Sequence, residues 1–416
     1  MDLQGPRNET AFKDMAALHP DKRSPDDVYA KMTAVAAVFA VASIAAYLFV
    51  SKPPYDMSGY LIGRDFVNTW MGARAALAGD PKPWLDFATY NTALQHLFGA
   101  NFPAHGWSYP PHLLLFTWPL GFLPYLPAYA VWCALGFALY MVVAGGGERR
   151  FDRLLMLAVA PAIVANILDG QNGFFTAALL IGGLSLLDRR PLISGMLFGL
   201  LTMKPQLGLL LPLMLALTAR WRCIAAAGLT TLVLVGSTSL IFGADVWAAY
   251  FRNAVPLQQY VLAQGSGIYL PMMPTAFMNA RIAGLQPEQA WALQAGVSLA
   301  AIAALTWTFW RRRDPVLSIA LFVTASFLVT PYAFNYDMVV FGWVLAQLRG
   351  HEGTGTFDDC IAILVWTLPV TTMLLGLAYV PISCLVLVAF AARLVWRMAA
   401  ADTQKSRTAV AAPISA

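Results

Sequence analysis

Charge is scarce in this 416-residue chain: Asp, Glu, Lys and Arg together make up 12% of it, about half the roughly 25% of an ordinary soluble domain. That shortage excludes a soluble enzyme, a disordered chain and a coiled coil. Cysteine is scarce as well. Cys133, Cys223, Cys360 and Cys384 each fall in or at the end of an apolar run, without disulfide or metal-ligand spacing, and read as small buried hydrophobes. Residues 1–31 have no short apolar core followed by a small-residue cleavage site, so they form a cytoplasmic tail and not a signal peptide. The net charge of +5 comes in short clusters at the ends of apolar runs, which marks topology and excludes a nucleic-acid partner. There is no Gly-rich phosphate loop, no Ser-centred nucleophile elbow and no acidic DxD pair. His96, His105 and His112 match no zinc spacing, so neither a metal site nor a cofactor is expected.

What the chain has in excess is apolar surface. Hydrophobic residues make up 59% of it, and the mean hydropathy of +0.61 is carried by many stretches along the whole length. The fold class that follows is an all-α polytopic membrane protein. The first long apolar run, 32–50, follows Lys13, Lys22, Arg23 and Lys31, which places the N-terminus in the cytoplasm and residues 51–110 outside. Residues 51–110 are the one long polar stretch, expected to be a structured external loop with helices over 66–78 and 85–98. Basic clusters at Arg149-Arg150, Arg189-Arg190, Arg220 to Arg222, Arg311 to Arg313, Arg349 and Arg393 to Arg397 read as cytoplasmic. Counting by alternation gives about 12 crossings, with 111–145 open between one crossing with an interfacial preamble and more than one. A second external stretch, 243–284, carries Trp247, Tyr250, Gln258, Gln259 and Tyr260 and is expected along the interface. The apolar segments 191–203 and 336–348 are only about 13 residues long, against the roughly 20 a crossing needs, which implies a cavity at their polar ends. The transmembrane domain is taken as 32–398, with a cytoplasmic tail over 399–416. No transporter-type repeat is visible.

Ionisable groups at membrane depth are costly, and here they converge on the external side. Asp65 lies just outside the first span, where a carboxylate can take a proton from a substrate hydroxyl or simply cap the helix that follows. Lys204, before Pro205, has no acidic neighbour in sequence and suits an anionic ligand such as a phosphate; a lysine snorkelling to the head groups is the plainer reading. Asp169-Gly170-Gln171-Asn172 is either a polar hairpin turn or part of a site. Tyr332, Tyr336 and Asp337 follow Pro331, and an aromatic belt accounts for the tyrosines but not for the aspartate. Tyr109-Pro110-Pro111-His112 sets the chain direction into the membrane.

Taken in order, these motifs form a pattern: Gly63-Arg64-Asp65-Phe66 through Trp70, Ala73-Arg74-Ala75 and Gly79-Asp80-Pro81, Tyr109-Pro110-Pro111, Gly170-Gln171-Asn172 and Lys204-Pro205-Gln206. Together they resemble glycosyltransferase family 87, polyprenyl-phosphate-dependent enzymes of the GT-C superfamily that include mycobacterial α-1,2-mannosyltransferases. The resemblance runs over roughly 32–349 and implies a GT-C-like multi-pass hexosyltransferase of the bacterial plasma membrane, with its active site on the external, periplasmic face. It implies a polyprenyl-phosphate sugar as donor substrate, mannose being one candidate, and a lipid or glycan acceptor. It also implies that Asp65 is the general base. Lys204, with Arg64 second, then meets the leaving phosphate, and Gln171, Asn172 and Gln206 bind sugar hydroxyls or phosphate oxygens. The family's last external motif often carries histidines after a Ser-Pro or Thr-Pro; here Tyr336 and Asp337 occupy that place after Thr330-Pro331, which leaves the donor sugar open, and with Tyr332 they are expected to bind substrate. A transporter or flippase for lipid-linked sugars would also use an anion-binding lysine, but it would place polar groups near the midplane. A glycan polymerase or ligase would carry its large loop late in the chain.

Overall fold

The computed structural model describes residues 25–148, 150–265, 267, 269–311, 313–349, 351 and 354–411. The expected N-terminal tail up to residue 24, the last five residues of the expected C-terminal tail, and Arg149 and Arg312 of the basic clusters lie outside the described residues. Among the described residues all regular structure is helical, apart from isolated bridges of Tyr55 with Lys52 and with Leu61. In lipid, helices satisfy every backbone group internally.

Among the described residues, seven helices are long and apolar enough to cross a membrane: Tyr29–Val50, Tyr125–Gly145, Phe151–Asp169, Trp221–Phe242, Pro287–Trp310, Thr356–Leu377 and Ser383–Ala401. Four shorter apolar helices, Gly173–Leu186, Pro191–Met203, Pro205–Leu217 and Pro315–Val329, stand beside them, against the expected dozen or so crossings. The open stretch 111–145 is one spanning helix, Tyr125–Gly145, with a preamble of short turns from Pro111 to Phe122. The first helix begins at Pro25 and the last runs from Ser383 to Ala411.

Burial sorts the helices. Tyr29–Val50 and Trp221–Phe242 bury only 17% of their most apolar windows and turn Val38, Leu232 and Leu240 outward. Helices this apolar all round belong in lipid or in a core. The short helices take the core: Pro315–Val329 and Val339–Leu348 are buried along nearly their whole length and meet Tyr140, Phe174 and Trp366.

The first loop has an apolar core of its own, in which Leu61, Phe66, Trp70, Tyr90, Leu94 and Phe102 pack on Tyr125 and Trp132 of the spanning helix. Its helices are Phe66–Leu77 and Phe87–Phe98. The second starts later than expected because Asp86 is extended and caps it, accepting from the Thr89 amide at 2.8 Å. The stretch after Phe242 does more than lie along an interface: Val246, Tyr250 and Ala254 pack onto Leu85 and Trp107 of the first loop, while Phe251 and Tyr260 face outward.

The basic clusters gather at one end of the bundle, where Arg349 pairs with Asp152 at 2.9 Å, Arg393 with Asp358 at 2.8 Å and Arg220 with Asp188. From that end Phe151–Asp169 leads to the turn at Gly170, Pro191–Met203 leads to Lys204, and Pro315–Val329 leads to Thr330 and the segment holding Asp337. Each of the singled-out polar motifs therefore emerges at the opposite end.

Candidate active site

The helix Pro161–Asp169 stops because Gly170 adopts the left-handed conformation (φ 60°). A Cβ at Gly170 would stand 2.5 Å from Phe66 Cβ and 2.6 Å from the Gly63 carbonyl oxygen. The absence of a side chain thus lets this turn press against the start of the loop helix Phe66–Leu77. Two hydrogen bonds cross the contact. The Asp65 amide donates to the Asp169 carbonyl at 3.1 Å, and Gln171 Nε2 donates to Asp65 Oδ2 at 2.6 Å. Behind them the Tyr109 hydroxyl donates to Gln171 Oε1 at 3.1 Å. Trp132 Nε1 bonds the Gly170 and Gln171 carbonyls at 3.1 and 3.3 Å. Asp65 stands at the N-cap position, but its backbone is helical and its side chain makes no cap hydrogen bond. The capping alternative has no geometry to support it.

Lys204 occupies a break between two 3-10 turns, Leu201–Met203 and Pro205–Gly208, where Pro205 cannot continue the helical ladder. Its side chain does not snorkel; the residue is 5% exposed. Nζ donates to Asp337 Oδ1 at 2.5 Å and to Asn172 Oδ1 at 3.1 Å, and lies 4.6 Å from the Tyr336 ring centroid. The acidic partner absent from the neighbouring sequence comes from 133 residues away. Asp337 is fixed in turn, its Oδ2 accepting from the Phe334 amide at 3.2 Å. The Tyr336 carbonyl accepts from Asn166 at 2.5 Å. Tyr332, Phe334 and Tyr336 form an aromatic series, with centroids 5.1 and 4.9 Å apart.

The two clusters share one interior. Burial and then the negative field of Asp65 push the Tyr109 and Tyr332 hydroxyls well above their ordinary range, and Asp337 adds to both. Both hydroxyls therefore remain protonated donors. Asn172, 1% exposed, gives its oxygen to Lys204 and keeps a buried Nδ2 without a hydrogen-bond partner among the described residues.

Not every singled-out residue joins. Arg64 Nε is held by Asp56 at 3.1 Å and its guanidinium lies over the Tyr60 ring, so its charge is already compensated. Gln206 is half-buried and makes no hydrogen bond to the others among the described residues. The roles of Tyr109 and Trp132 in fixing the Gln171 turn were missed. The Tyr109-Pro110-Pro111 motif pointed to the first, but its tyrosine passed for part of a direction-setting Pro pair. Asp56, the partner of Arg64, left no signal in the sequence.

Beside this interior runs an apolar groove of about 370 Å³, lined by Leu113, Phe116, Leu135, Phe175, Leu179 and Met203 together with Trp132. Two of its wall residues adjoin the polar clusters: Trp132 bonds the Gln171 turn, and Met203 precedes Lys204.

No curated protein and no solved structure matches the chain. The family model of glycosyltransferase family 87 matches residues 107–331, more than half of the sequence. The match takes in Tyr109, the Gly170-Gln171-Asn172 turn and the Lys204 break. It begins after Asp65 and ends just before Tyr332. On this match, with the turn and the break meeting in one buried constellation, the chain belongs to glycosyltransferase family 87.

Proposed function

We propose that the chain transfers a hexose from a polyprenyl-phosphate carrier to a hydroxyl of a lipid or glycan acceptor, at the external face of a bacterial plasma membrane, with both termini cytoplasmic. Mannose is the first hexose to test. The observation that carries this reading is the junction of the apolar groove with the two polar clusters. A lipid-linked donor needs an apolar path for its chain that ends beside a base and a cation, and the groove, at 370 Å³, lies in the roughly 300–1,000 Å³ range of small-molecule sites.

In this mechanism Asp65 takes the acceptor hydroxyl's proton as the oxygen attacks the anomeric carbon. The bond from that carbon to the phosphate oxygen breaks in line, the configuration inverts, and polyprenyl phosphate leaves with the electron pair. The free Nδ2 of Asn172 and the ammonium of Lys204 meet the phosphate. Lys204 shares its charge with Asp337, so phosphate binding exchanges or stretches that pair. Tyr332 and the Tyr336–Asp337 turn border the sugar. A flippase would need none of the carboxylate's fixed orientation.

Lipid mass spectrometry of cells lacking the chain, complemented with the wild type or with Asp65→Asn at equal expression, tests the proposal. The expected result is that the deletion and the Asn variant both lose one glycolipid and accumulate a form lighter by one hexose. Restoration of the wild-type profile by Asp65→Asn would overturn Asp65 as base. A deletion that changes no glycolipid would overturn the lipid acceptor and reopen transport.

A further inference from the structure

We infer that Gln171 and Tyr109 are positioning residues that aim the Asp65 carboxylate, and that Gln171 is not a substrate ligand; the inference rests on Asp65 acting as the base. The direction of the hydrogen-bond chain is forced from its charged end. An ionised carboxylate only accepts, so Gln171 must present its NH2 to Asp65 Oδ2, the 2.6 Å contact. Its carbonyl oxygen is then left for Tyr109, whose hydroxyl must donate, at 3.1 Å. Tyr109 is 7% and Gln171 5% exposed, so the bond between them is buried, while the bond to the half-buried Asp65 is buried on its Gln171 side. Each of Gln171's functional atoms is therefore already engaged within the protein. Asp65 Oδ2 is committed as well, and Oδ1, which accepts no hydrogen bond among the described residues, is left to receive the acceptor's proton.

The backbone reinforces the aim. The Asp65 amide is held by Asp169, two residues before Gln171, so main chain and side chain of the base are gripped by the same turn. Trp132 and Tyr129 brace that turn through the Gly170, Gln171 and Ile167 carbonyls. Successive bonds along such a chain polarise one another, so loss of the distal hydroxyl weakens the contact on the carboxylate.

The test uses membranes of the deletion strain complemented with Tyr109→Phe, Gln171→Leu, or both, at equal expression. The donor is polyprenyl-phosphate hexose at increasing concentration, carrying the hexose missing from the deletion strain's glycolipid. Positioning predicts that Tyr109→Phe lowers the maximal rate about tenfold with an unchanged donor KM, the size of one lost buried hydrogen bond. Gln171→Leu lowers it further. The double variant matches Gln171→Leu alone, because Tyr109 acts only through Gln171. A raised donor KM with the maximal rate intact would overturn the inference in favour of substrate contact. Multiplying effects in the double variant, or wild-type rates for Tyr109→Phe, would overturn it too. Should Tyr109→Phe behave as wild type while Asp65→Asn is inactive, the positioning chain fails and the transferase reading stands. A deletion strain with no altered glycolipid sinks both. Melting temperatures of the purified variants within a few degrees of wild type separate these outcomes from misfolding.

Discussion

Gln171 and Asn172 are neighbours in sequence, and their amides serve different masters: Gln171 donates to Asp65 and Asn172 accepts from Lys204. One turn of backbone thereby sets the spacing between the carboxylate and the cation. Every residue of Asp169-Gly170-Gln171-Asn172 has a task. Asp169 holds the Asp65 amide, Gly170 permits the approach, and the two amides orient the charges.

Gly170→Ala should therefore cost more than its backbone conformation alone. The left-handed φ of 60° costs a non-glycine residue about 1 kcal/mol, and the added Cβ meets Phe66 and the Gly63 carbonyl, so a total loss of roughly 2–4 kcal/mol is expected. Gly79→Ala is the control, since Gly79 has φ 81° with nothing within 4 Å of its Cβ. Thermal unfolding in detergent should show a much larger drop for position 170, with transfer activity lost only there. Equal drops would mean that the turn is not wedged against the loop.

The Lys204–Asp337 pair makes a different kind of prediction. Its side chains are 6% and 0% exposed, and breaking a buried pair by removing one partner strands a charge at a cost of about 3–5 kcal/mol. Lys204→Met and Asp337→Asn should each destabilise the chain strongly. The double variant Lys204→Met/Asp337→Leu should regain much of the loss, because an apolar pair of similar volume is tolerated. Activity should not return with stability, since the cation proposed to meet the phosphate is gone. A stable and active double variant would remove Lys204 from the mechanism.

Much of this architecture was legible from residue types alone. The helical class, the loop 51–110 with two helices and the clustering of Asp65, Gln171, Asn172, Lys204 and Asp337 all followed from where polar groups interrupt apolar runs. What the sequence concealed were partners distant in the chain. Lys204 looked like a free cation because Asp337 lies 133 residues on. Arg64 looked available because Asp56 gave no pattern to read. Asp65 is open in sequence between cap and base because both uses favour Asp at the same position, and the structure shows no cap bond from its side chain. The short apolar segments foretold a cavity, while its walls depend on how Tyr125–Gly145 packs on Gly173–Leu186.

The groove can be tested separately from the chemistry. Leu135 and Leu139 line it and are 59% and 39% exposed, so Leu135→Trp would fill space without disturbing the core. For a donor with a long polyprenyl chain the KM should rise about tenfold, equivalent to about 1.4 kcal/mol of lost binding. A short-chain analogue that does not reach the filled section should keep its KM. An equal rise for both would place the defect in the polar site and remove the groove as the carrier's path.

His112 carries an acid sensitivity that follows from its burial. It is 3% exposed, its ring stacks on Trp247 at 5.8 Å, and its Nδ1 makes no hydrogen bond among the described residues. Burial lowers its pKa from 6.5 to about 4, so it is a neutral imidazole at neutral pH. The unfolded chain takes up a proton near pH 6.5 that the folded chain refuses until about pH 4. Stability is therefore complete above about pH 6.5 and falls as the pH drops through that window, by up to about 3 kcal/mol. His112→Leu removes the titrating group and should flatten that part of the decline, although it leaves Thr202 Oγ1 without its 3.4 Å contact. Melting temperature against pH in detergent measures both slopes. If wild type and variant lose stability in parallel between pH 6.5 and 4, His112 is not the group that the folded state keeps from its proton.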